Sequence, residues 1–546
     1  MKKTFVLAVA VLSGCSAESD PRPSRESESP PPAPGFALPK AAPAPSARVS
    51  AELEIVAEPP APGKAGEKDG EHVAGAGETN PGEVTPSEEK PSTPAAPPPL
   101  DSEPQPEVAH DAPLLFAAAR EVFVYERPSF GSKKLGYLRA GAQVKRGSEA
   151  AGHERCPRGF YRVSPQGYVC VGDGARLEPG AAVSELARVR PDRSGAMPYV
   201  YGRSRQPPPP LYVKLPTDAE QRAVEPELSS ISRTVRGTLA NFPLSPTPAR
   251  LEAGQQLPTP FGYAYEPSLV STGRALSDSA FALLEVVQQG TRKFALTSDL
   301  LLVPLDRLEA VSPSNFHGVT LESEAGGLPV AFVMSRAAFA FAGGAGQSLR
   351  PVRPLAYREA LLLSGKSLRA SGITWLETRA GEWIRDERLV RIEPDSEKPA
   401  WATPGRSWMR VSISKQTLVA YEGDKPVYAT LVSTGVDGLG DPETTRSTVR
   451  GQFLIHTKHV SVTMNSEEAG SEFDLRDVPY VQYFKDNYAL HAAYWHDGFG
   501  APRSHGCINL APLDARWLFH WTDPPVPPAW HGAFSLREGS LIDIVP

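Results

Sequence analysis

The chain has 546 residues, 58 of them proline, and a formal net charge of −6 at pH 7. This length exceeds what one hydrophobic core supports and predicts three or four units of roughly 150 residues each. The acidic balance and the lack of any Lys/Arg-rich run argue against nucleic acid as a partner.

The first fifteen residues predict an export signal. Lys2 and Lys3 precede an apolar run, residues 5–12, that is too short to span a bilayer permanently. The run ends in Leu12-Ser13-Gly14-Cys15, which resembles the bacterial lipobox. In that motif the cysteine is diacylated and becomes the new N-terminus. We therefore expect residues 1–14 to be a lipoprotein signal peptide and Cys15 the lipidation site, with an ordinary signal peptide and an incidental cysteine as the alternative.

The lipobox resemblance also implies a location. Ser16 follows Cys15, where an aspartate often retains lipoproteins at the inner membrane. We expect a periplasmic protein that is lipid-anchored to the outer membrane of a Gram-negative cell. Residues 15–112 are rich in Pro, Ala and Glu without an apolar period, which predicts a disordered tether. A tether of roughly 95 residues in polyproline II conformation spans about 300 Å when fully extended.

Residues 113–180 predict a small β-barrel. Short apolar runs between Pro and Gly turns indicate strands at 114–116, 122–125, 134–138, 160–163 and 168–171. This pattern resembles a bacterial SH3-like module. Cys156 and Cys170 lie within it, and in an exported chain such a pair forms a disulfide more often than a metal site. A disulfide closing this loop stabilises the barrel by about 3 kcal/mol in the chain-entropy description.

A weak internal repeat lies in the next region, residues 181–398. Residues 294–308 align without gaps with residues 375–389, and each copy ends a region of short strands. We expect a β-rich intermediate region with further SH3-like repeats. Its role is either to bind wall peptides or glycans or only to position the last domain. A run of four prolines at 207–210 predicts a linker.

Residues 399–546 predict a last domain that is mostly β. A short helix is expected to begin near Pro512, with Leu513, Trp517 and Trp521 on one face. The predicted fold class is therefore mainly β and multidomain, with small SH3-like barrels followed by a C-terminal β-sandwich with short helices. Alternating apolar residues and turn signals predict its strands at 409–413, 418–421, 427–432, 451–455 and 460–464.

The most informative segment is Ser504-His505-Gly506-Cys507-Ile508-Asn509, with His491 sixteen residues before Cys507. A thiol beside glycine and histidine, with a second histidine within reach, is typical of an activated nucleophile. Together with segments 411–418, 432–435 and 451–453, this order is similar to the L,D-transpeptidase catalytic (YkuD-like) domain. The resemblance covers roughly residues 401–546 and implies a β-sandwich that builds or modifies peptidoglycan.

The resemblance assigns roles to three residues. The family's nucleophile corresponds to Cys507, its general acid/base to His491, and the histidine that shapes its pocket to His505. This chain has Ala492 after His491, where several members have serine. Because that neighbour is thought to orient the histidine chiefly through its backbone carbonyl, we expect activity to survive.

The chemistry follows from the same residues. A thiol with a pKa near 8.5 is mostly protonated at neutral pH, so His491 must take its proton or stabilise the thiolate. The amides of Gly506 and Cys507 are candidate donors to an oxyanion. The resemblance implies attack on the diaminopimelate carbonyl of a tetrapeptide stem, with release of D-alanine and no cofactor. An amine of a second stem, a protein lysine or water then resolves the thioester, giving a 3-3 crosslink, protein anchoring or L,D-carboxypeptidase activity.

Four further residues are assigned to the pocket. Ser504 and Asn509 are expected to shape it, and Ser504 is predicted to hydrogen-bond within the loop rather than to act as a second nucleophile. His496 is either a substrate contact or a solvated side chain. Arg503 is a candidate partner for a carboxylate of the stem peptide.

Two rival functions belong to other classes. A zinc wall peptidase would use His456 and His459 with His491 or His505, but no well-placed acidic ligand accompanies them. A wall-binding lipoprotein with a degenerate catalytic domain is the second rival, and the intact Cys507 and His491 argue against it. The predicted partners are therefore peptidoglycan stem peptides and, through Cys15, a membrane.

Overall fold

The structure is a computed structural model, and it describes residues 108–109, 111–321, 327–344, 347–395, 397–466 and 472–546. The predicted signal segment, Cys15 and the predicted tether up to residue 107 lie outside the described residues. Within the described residues no helix has the length and apolar character needed to cross a membrane.

The first folded unit, called module 1, covers residues 114–176. Cys156 and Cys170 are joined by a disulfide within it. A short helix, α1 (Ala182–Leu186), follows the module. The seven short strands of module 1 are β1 (Leu114–Ala117), β2 (Val122–Tyr125), β3 (Lys134–Leu138), β4 (Gln143–Lys145), β5 (Phe160–Arg162), β6 (Tyr168–Cys170) and β7 (Ala175–Arg176).

Module 2 covers residues 200–310 and carries an insertion between its second and third strands. The insertion holds α2 (Asp218–Val224), which begins with a capping box between Thr217 and Glu220, and α3 (Ala249–Glu252). It also holds two 3-10 helices, Pro226–Ser229 and Gly237–Asn241, and a third, Leu305–Arg307, precedes the last strand. The strands are β8 (Val200–Ser204), β9 (Pro210–Tyr212), β10 (Ser271–Arg274), β11 (Ala280–Gln289), β12 (Arg292–Thr297), β13 (Leu302–Pro304) and β14 (Leu308–Ala310).

Module 3 covers residues 330–392 and lacks such an insertion. A single strand, β15 (Val319–Thr320), precedes it in the segment that connects modules 2 and 3. A 3-10 helix, Asp386–Arg388, precedes its last strand, as in module 2. The module's strands are β16 (Val330–Val333), β17 (Phe339–Ala342), β18 (Arg350–Pro354), β19 (Ala360–Ala370), β20 (Ile373–Thr378), β21 (Trp383–Arg385) and β22 (Leu389–Ile392).

All three modules share one strand-pairing scheme. In each, the first strand pairs with the fourth and the seventh. The second strand pairs with the third and the sixth, and the fifth pairs with the sixth. The aligned segments 294–308 and 375–389 occupy the same strands of modules 2 and 3. The sequence repeat is thus a structural repeat, while the SH3-like family of the modules stays a prediction.

One expectation about this region was wrong. The proline run 207–210 is not a linker between units, because it lies inside module 2 between β8 and β9. Pro210 is itself the first residue of β9, opposite Arg274 of β10. Proline is tolerated at the first position of a strand, where its missing N–H removes no interior ladder bond.

The last domain has two sheets packed face to face. The first sheet has the order β15-β25-β24-β23-β32-β26, and the second contains β31, β27, β28, β29 and β30. This mainly β architecture with short helices confirms the predicted fold class. The elements are β23 (Ser407–Ser412), β24 (Thr417–Glu422), β25 (Lys425–Leu431), β26 (Gly451–Leu454), β27 (Thr457–Ser466), β28 (Phe473–Lys485), β29 (Tyr488–Ala492), β30 (Ile508–Leu510), α4 (Pro512–Trp521), β31 (Gly532–Phe534) and β32 (Leu541–Val545).

The core of this domain lies between the two sheets and α4. Met409 and Val411 of β23 alternate inward with strand period, and Leu518 of α4 packs against the same cluster. Leu490 and Ile508 come to this cluster from the second sheet and are fully buried. The predicted helix from Pro512 is confirmed by α4, with proline at the start of its first turn.

The upstream modules continue the sheets of the last domain. β3 of module 1 pairs with β31, β11 of module 2 pairs with β28, and β15 pairs with β25. A buried ionic cluster around Asp477 of β28 lies at the first two of these junctions. Its carboxylate accepts hydrogen bonds from Arg139 of module 1 and Ser298 of module 2. Burial alone would raise the pKa of Asp477, but Arg139 and Arg120 hold it below its usual range.

Candidate active site

Cys507 and His491 are brought together by two parallel strands. β29 and β30 pair with Leu490 opposite Ile508 and His491 opposite Asn509. Because side chains alternate along a strand, Leu490 and Ile508 face the core and the residues on either side of them face the other way. His491 and Cys507, which directly precedes β30, therefore lie on the same face of the strand pair, opposite that core. The free cysteine among the described residues is Cys507.

The loop before Cys507 is closed by its own hydrogen bonds. The Ser504 hydroxyl donates to the carbonyl of Cys507 and accepts the amide N–H of Gly506 at 3.1 Å. Gly506 has φ +121°, and a Cβ there would lie 2.8 Å from the ring of Tyr488. Only glycine fits this position. The amide of Gly506, a predicted oxyanion donor, is bonded to Ser504 here and must leave that bond before it can bind an oxyanion.

A second extended segment, residues 433–435, pairs with this loop and supports it. Ser433 pairs with Asn509, and the carbonyl of Thr434 accepts the amides of Arg503 and Ser504. Thr434 is in turn held by Gln416, which accepts its amide at 2.8 Å and donates to its hydroxyl at 2.6 Å.

Gln416 is buried and also donates to the carbonyl of Ile413 at 2.6 Å. Its side chain thus connects the turn after β23 to the loop that carries Cys507. The sequence resemblance included Gln416 in a matching segment but gave it no role.

The imidazole of His491 is oriented by its neighbour. Its Nδ1 lies 3.3 Å from the carbonyl oxygen of Ala492, so Nδ1 carries the proton and Nε2 is the acceptor. The backbone carbonyl of Ala492 therefore orients the imidazole, although residue 492 is not the serine that several family members have. Burial lowers the pKa of His491 to about 4, partly opposed by this hydrogen bond. His491 is a neutral base in the resting site.

The thiol of Cys507 is protonated in the same state. Cys507 is partly exposed as a residue but packs against a cluster that includes Tyr483 and Ala489. Burial raises the pKa of the Cys507 thiol to about 11, and a backbone hydrogen bond with Ala489 offsets a little of this. The thiol donates to the carbonyl of Asn487 at 3.6 Å. The resting pair is thus a neutral thiol beside a neutral imidazole.

Asn509 and His496 form the far side of the site. His496 Nδ1 accepts the amide of Gly498 at 3.2 Å, so its Nε2 carries the proton. That nitrogen lies 3.0 Å from the side-chain amide of Asn509, whose Oδ1 is buried without a partner among the described residues. Rotating the amide by half a turn lets Oδ1 accept from His496 and is the consistent assignment. His496 thereby holds Asn509 beside His491.

The remaining predicted residues lie at the rim. His505 is exposed, with its ring 5.7 Å from that of Phe473. Arg503 is exposed and close enough to His496 to lower its pKa further after burial has done so. The disulfide of Cys156 and Cys170 lies in module 1 and takes no part in the site.

The histidines of the zinc alternative do not meet. His459 is buried and hydrogen-bonds to the Tyr137 hydroxyl of module 1 at 3.0 Å. His456 contacts Thr457 through Nδ1 at 2.9 Å. No group of three His, Cys, Asp or Glu side chains suited to a metal ion occurs in the part of the chain that the structure describes.

Several neighbours of the pair were not found from the sequence. The ring of Trp495 lies tilted against that of His491, with 5.7 Å between the centroids. Tyr488 packs on Gly506 and donates to the carbonyl of Pro442 at 3.1 Å. Arg358 of module 3 binds the loop after His491 through Asp497, with two bonds of 2.7 Å. An aromatic residue near His491 was a weak signal for Trp495, but no pattern connects Arg358 to residues so far along the chain.

Comparison with known proteins agrees with this geometry. Residues 406–530 match the family described as the L,D-transpeptidase catalytic domain (YkuD). This part of the chain is thus an L,D-transpeptidase catalytic domain, and the family predicted from the sequence is confirmed. The sheet extends past the matched residues, because β32 pairs with β23 and β26.

Individual relatives cover the same part of the chain. It is 26% identical over 120 residues to the putative L,D-transpeptidase YciB of Bacillus subtilis (strain 168), which is 20% of this chain and 59% of that protein. The chain therefore spans about three-fifths of that relative's length. The L,D-transpeptidase of Enterococcus faecium is 19% identical with a TM-score of 0.20, covering 26% of this chain and 50% of that one. L,D-transpeptidase 3 of Mycobacterium tuberculosis is 18% identical with a TM-score of 0.21, covering 34% and 79% respectively.

Proposed function

We propose that the protein is a cysteine-dependent L,D-transpeptidase acting on peptidoglycan stem peptides. The observation that carries the proposal is the parallel pairing of β29 and β30, which sets the free thiol of Cys507 beside the oriented base His491. The match of residues 406–530 to the L,D-transpeptidase catalytic domain supports the substrate class.

The acylation step uses both groups. His491 Nε2 takes the thiol proton as Cys507 Sγ attacks the diaminopimelate carbonyl of a tetrapeptide stem. The tetrahedral intermediate carries its negative charge on oxygen, near the backbone amides of Gly506 and Cys507. As the intermediate collapses, the imidazolium gives its proton to the departing amine. D-alanine leaves and the stem remains as a thioester on Cys507.

The transfer step returns the enzyme to its starting state. An acceptor amine attacks the thioester carbonyl and loses a proton to His491, which passes it to the departing thiolate of Cys507. One amide forms, one thioester breaks, and no cofactor or oxidant is needed. An amine of a second stem gives a 3-3 crosslink, whereas a protein lysine gives anchoring.

The resting pKa values fit this order of events. With the imidazole near 4 and the thiol near 11, the proton stays on sulfur until substrate is bound. The proton then moves to His491 only as Cys507 Sγ bonds to the carbonyl carbon, because the negative charge that develops on the substrate oxygen offsets the charge of the imidazolium.

The activity is tested with the full chain purified in detergent and given disaccharide-tetrapeptides. We expect released D-alanine and crosslinked dimers by mass spectrometry, both lost in Cys507→Ala and both retained with a chelator. Activity that survives Cys507→Ala and is lost to the chelator contradicts the proposal. Released D-alanine without dimers identifies water as the acceptor and a carboxypeptidase, and no product from the wild-type chain favours a wall-binding role.

The cellular setting is part of the proposal. Cys15 is proposed to carry the lipid anchor and to hold the protein in the periplasm at the outer membrane, on the strength of the lipobox-like segment. In cells, Cys15→Ser is expected to abolish incorporation of labelled fatty acid and to move the protein from the membrane pellet to the soluble fraction. A variant that keeps both the label and the membrane fraction contradicts the anchor.

A further inference from the structure

A groove of about 610 Å³ lies next to the catalytic loop and is built largely by residues outside the family domain. One wall is Trp495 and its neighbours after β29. The opposite wall comes from the connecting segment, residues 312–316, and from Tyr357 and Arg358 of module 3. The volume is in the range of about 300–1,000 Å³ that is typical of sites for small ligands.

The wall of this groove is held rigidly. Arg358 forms two bonds of 2.7 Å to the carboxylate of Asp497 and stacks over Phe316 at 4.7 Å. The Ser314 hydroxyl donates to the same carboxylate. Phe316 stacks on Phe499 at 6.1 Å between ring centroids. Module 3 and the connecting segment thus fix the loop that follows His491.

Two residues that line the groove each carry a buried polar atom with no hydrogen-bond partner among the described residues. These atoms are Nε of Arg358, whose side chain is 8% exposed, and the hydroxyl of Tyr494, a residue that is 4% exposed. Buried donors without a partner are costly, and in native structures they are most often satisfied by ordered water or an ion. Arg358 and Tyr494 both belong to the groove lining, so polar side chains accompany its aromatic walls.

The position of the groove selects the occupant. Trp495 lines the groove and its ring lies 5.7 Å from that of His491, so the groove ends beside the base. In acyl transfer the attacking amine must reach this base to give up its proton. The exposed amide and hydroxyl groups of Asn315 and Ser312 suit the carbonyls and N–H groups of a peptide.

We propose that this groove is the acceptor site, in which module 3 and residues 312–316 bind the peptide that carries the attacking amine. This inference rests on the proposed function. It assigns the choice of acceptor to segments that precede the catalytic domain in the chain. The chemistry is the transfer step of the proposed function: the amine of the groove-bound peptide forms the new amide, and its proton leaves through His491.

The test separates acylation from transfer. Acylation of Cys507 by a carbapenem and release of D-alanine from a disaccharide-tetrapeptide report the first step. Transfer is followed by mass spectrometry with a disaccharide-tripeptide as acceptor, since it has the amine but no D-alanine to release. Ser312→Trp and Asn315→Trp fill the groove, and Ser268→Trp places the same bulk on an exposed loop of module 2.

We expect both groove variants to raise the KM for the tripeptide at least tenfold, with acylation rates within twofold of the wild type. Ser268→Trp should change neither quantity. If a tryptophan variant also loses acylation, Asn315→Ala provides the test by an increase of at least threefold in the same KM. An acceptor KM within twofold of the wild type in acylation-competent groove variants overturns the inference.

Failure of the two proposals is distinguishable. A wild-type chain that releases D-alanine but transfers nothing to the tripeptide overturns the acceptor site and leaves acylation standing. A wild-type chain that is neither acylated nor releases D-alanine overturns the proposed function and the inference with it.

Discussion

The thiol of Cys507 is expected to react slowly with a small alkylating reagent when no substrate is bound. Burial raises its pKa from the usual 9.0 to about 11. Well below both values, each pKa unit lowers the thiolate fraction tenfold, so two units lower it about a hundredfold. At pH 7, iodoacetamide should therefore alkylate Cys507 about a hundredfold more slowly than a small thiol with the usual pKa.

The pH dependence gives the sharper measurement. His491 has a pKa of about 4 and is neutral through the physiological range, so it supplies no positive charge to favour a thiolate. The alkylation rate should then rise about tenfold per pH unit from pH 7 to about 10, with no plateau near neutrality. The rate is measured by the mass of the alkylated chain. Cys156 and Cys170 are joined in the disulfide, and Cys507→Ala serves as the blank that accounts for any alkylation at Cys15.

One variant decides whether the two side chains are already an ion pair. Because the imidazole of His491 is neutral, His491→Ala should leave the alkylation profile within about threefold of the wild type while abolishing D-alanine release. A plateau with a midpoint between pH 5 and pH 8 that disappears in His491→Ala would refute the reasoning. It would show a thiolate and an imidazolium at rest, as in proteins that lower the thiol pKa with a charged neighbour.

Three further predictions concern the support of the site. Gly506→Ala should lower the rate of carbapenem acylation at least tenfold, because the new Cβ would lie 2.8 Å from the Tyr488 ring and φ is +121°. Gly172→Ala, where the new Cβ meets open space, should leave the rate unchanged, and equal rates in the two variants contradict the prediction. Gln416→Leu removes three hydrogen bonds within a buried turn. It should lower the free energy of unfolding, measured by urea titration, by about 2–4 kcal/mol, and a loss under about 0.5 kcal/mol would contradict this. Burial lowers the pKa of Lys458 to about 7, whereas its value in the unfolded chain is 10.5. Between pH 7 and pH 10.5 the unfolded chain therefore binds more protons than the folded one, and the stability of the fold rises with pH. Lys458→Met should remove up to about 1.4 kcal/mol per pH unit of that slope between pH 7 and pH 9, and parallel stability curves for the two proteins would contradict it.

The local features of the chain were predictable because they depend on neighbours in sequence. Strands β2 and β3 have the predicted bounds, and α4 begins at the predicted Pro512, since alternation, turns and a proline at the start of a helix are local signals. The repeat of 294–308 in 375–389 gave two strands and a 3-10 helix in the same order in both modules.

The assembly of these features was not predictable. β28, the longest strand, brings Asp477 to side chains from two upstream modules, and its sequence contains no uniform apolar alternation. The proline run at 207–210 was misread for the same kind of reason. Proline favours linkers in general, but at the first position of a short strand such as β9 it costs no interior bond.

The active site shows the same division. The motif contains the thiol of Cys507 and the imidazole of His491, which we propose to react, whereas the residues that hold their surroundings come from distant parts of the chain. Asp497 illustrates this: burial alone would raise its pKa, yet the bonds from Arg358 and Ser314 lower it. Cutting that contact would leave the guanidinium of Arg358 buried at 8% exposure without its counter-charge, which is costly.

Module 3 therefore cannot move away from the loop after His491 without losing this pair. The stacking of Phe316 on Phe499 would be lost in the same movement. A spacer that only separated the last domain from a membrane would need neither contact. The two contacts are explained if module 3 and the catalytic domain act as one body whose shared groove binds substrate. On this proposal the upstream modules select the acceptor, and Cys507 and His491 perform the same chemistry on whichever amine is bound.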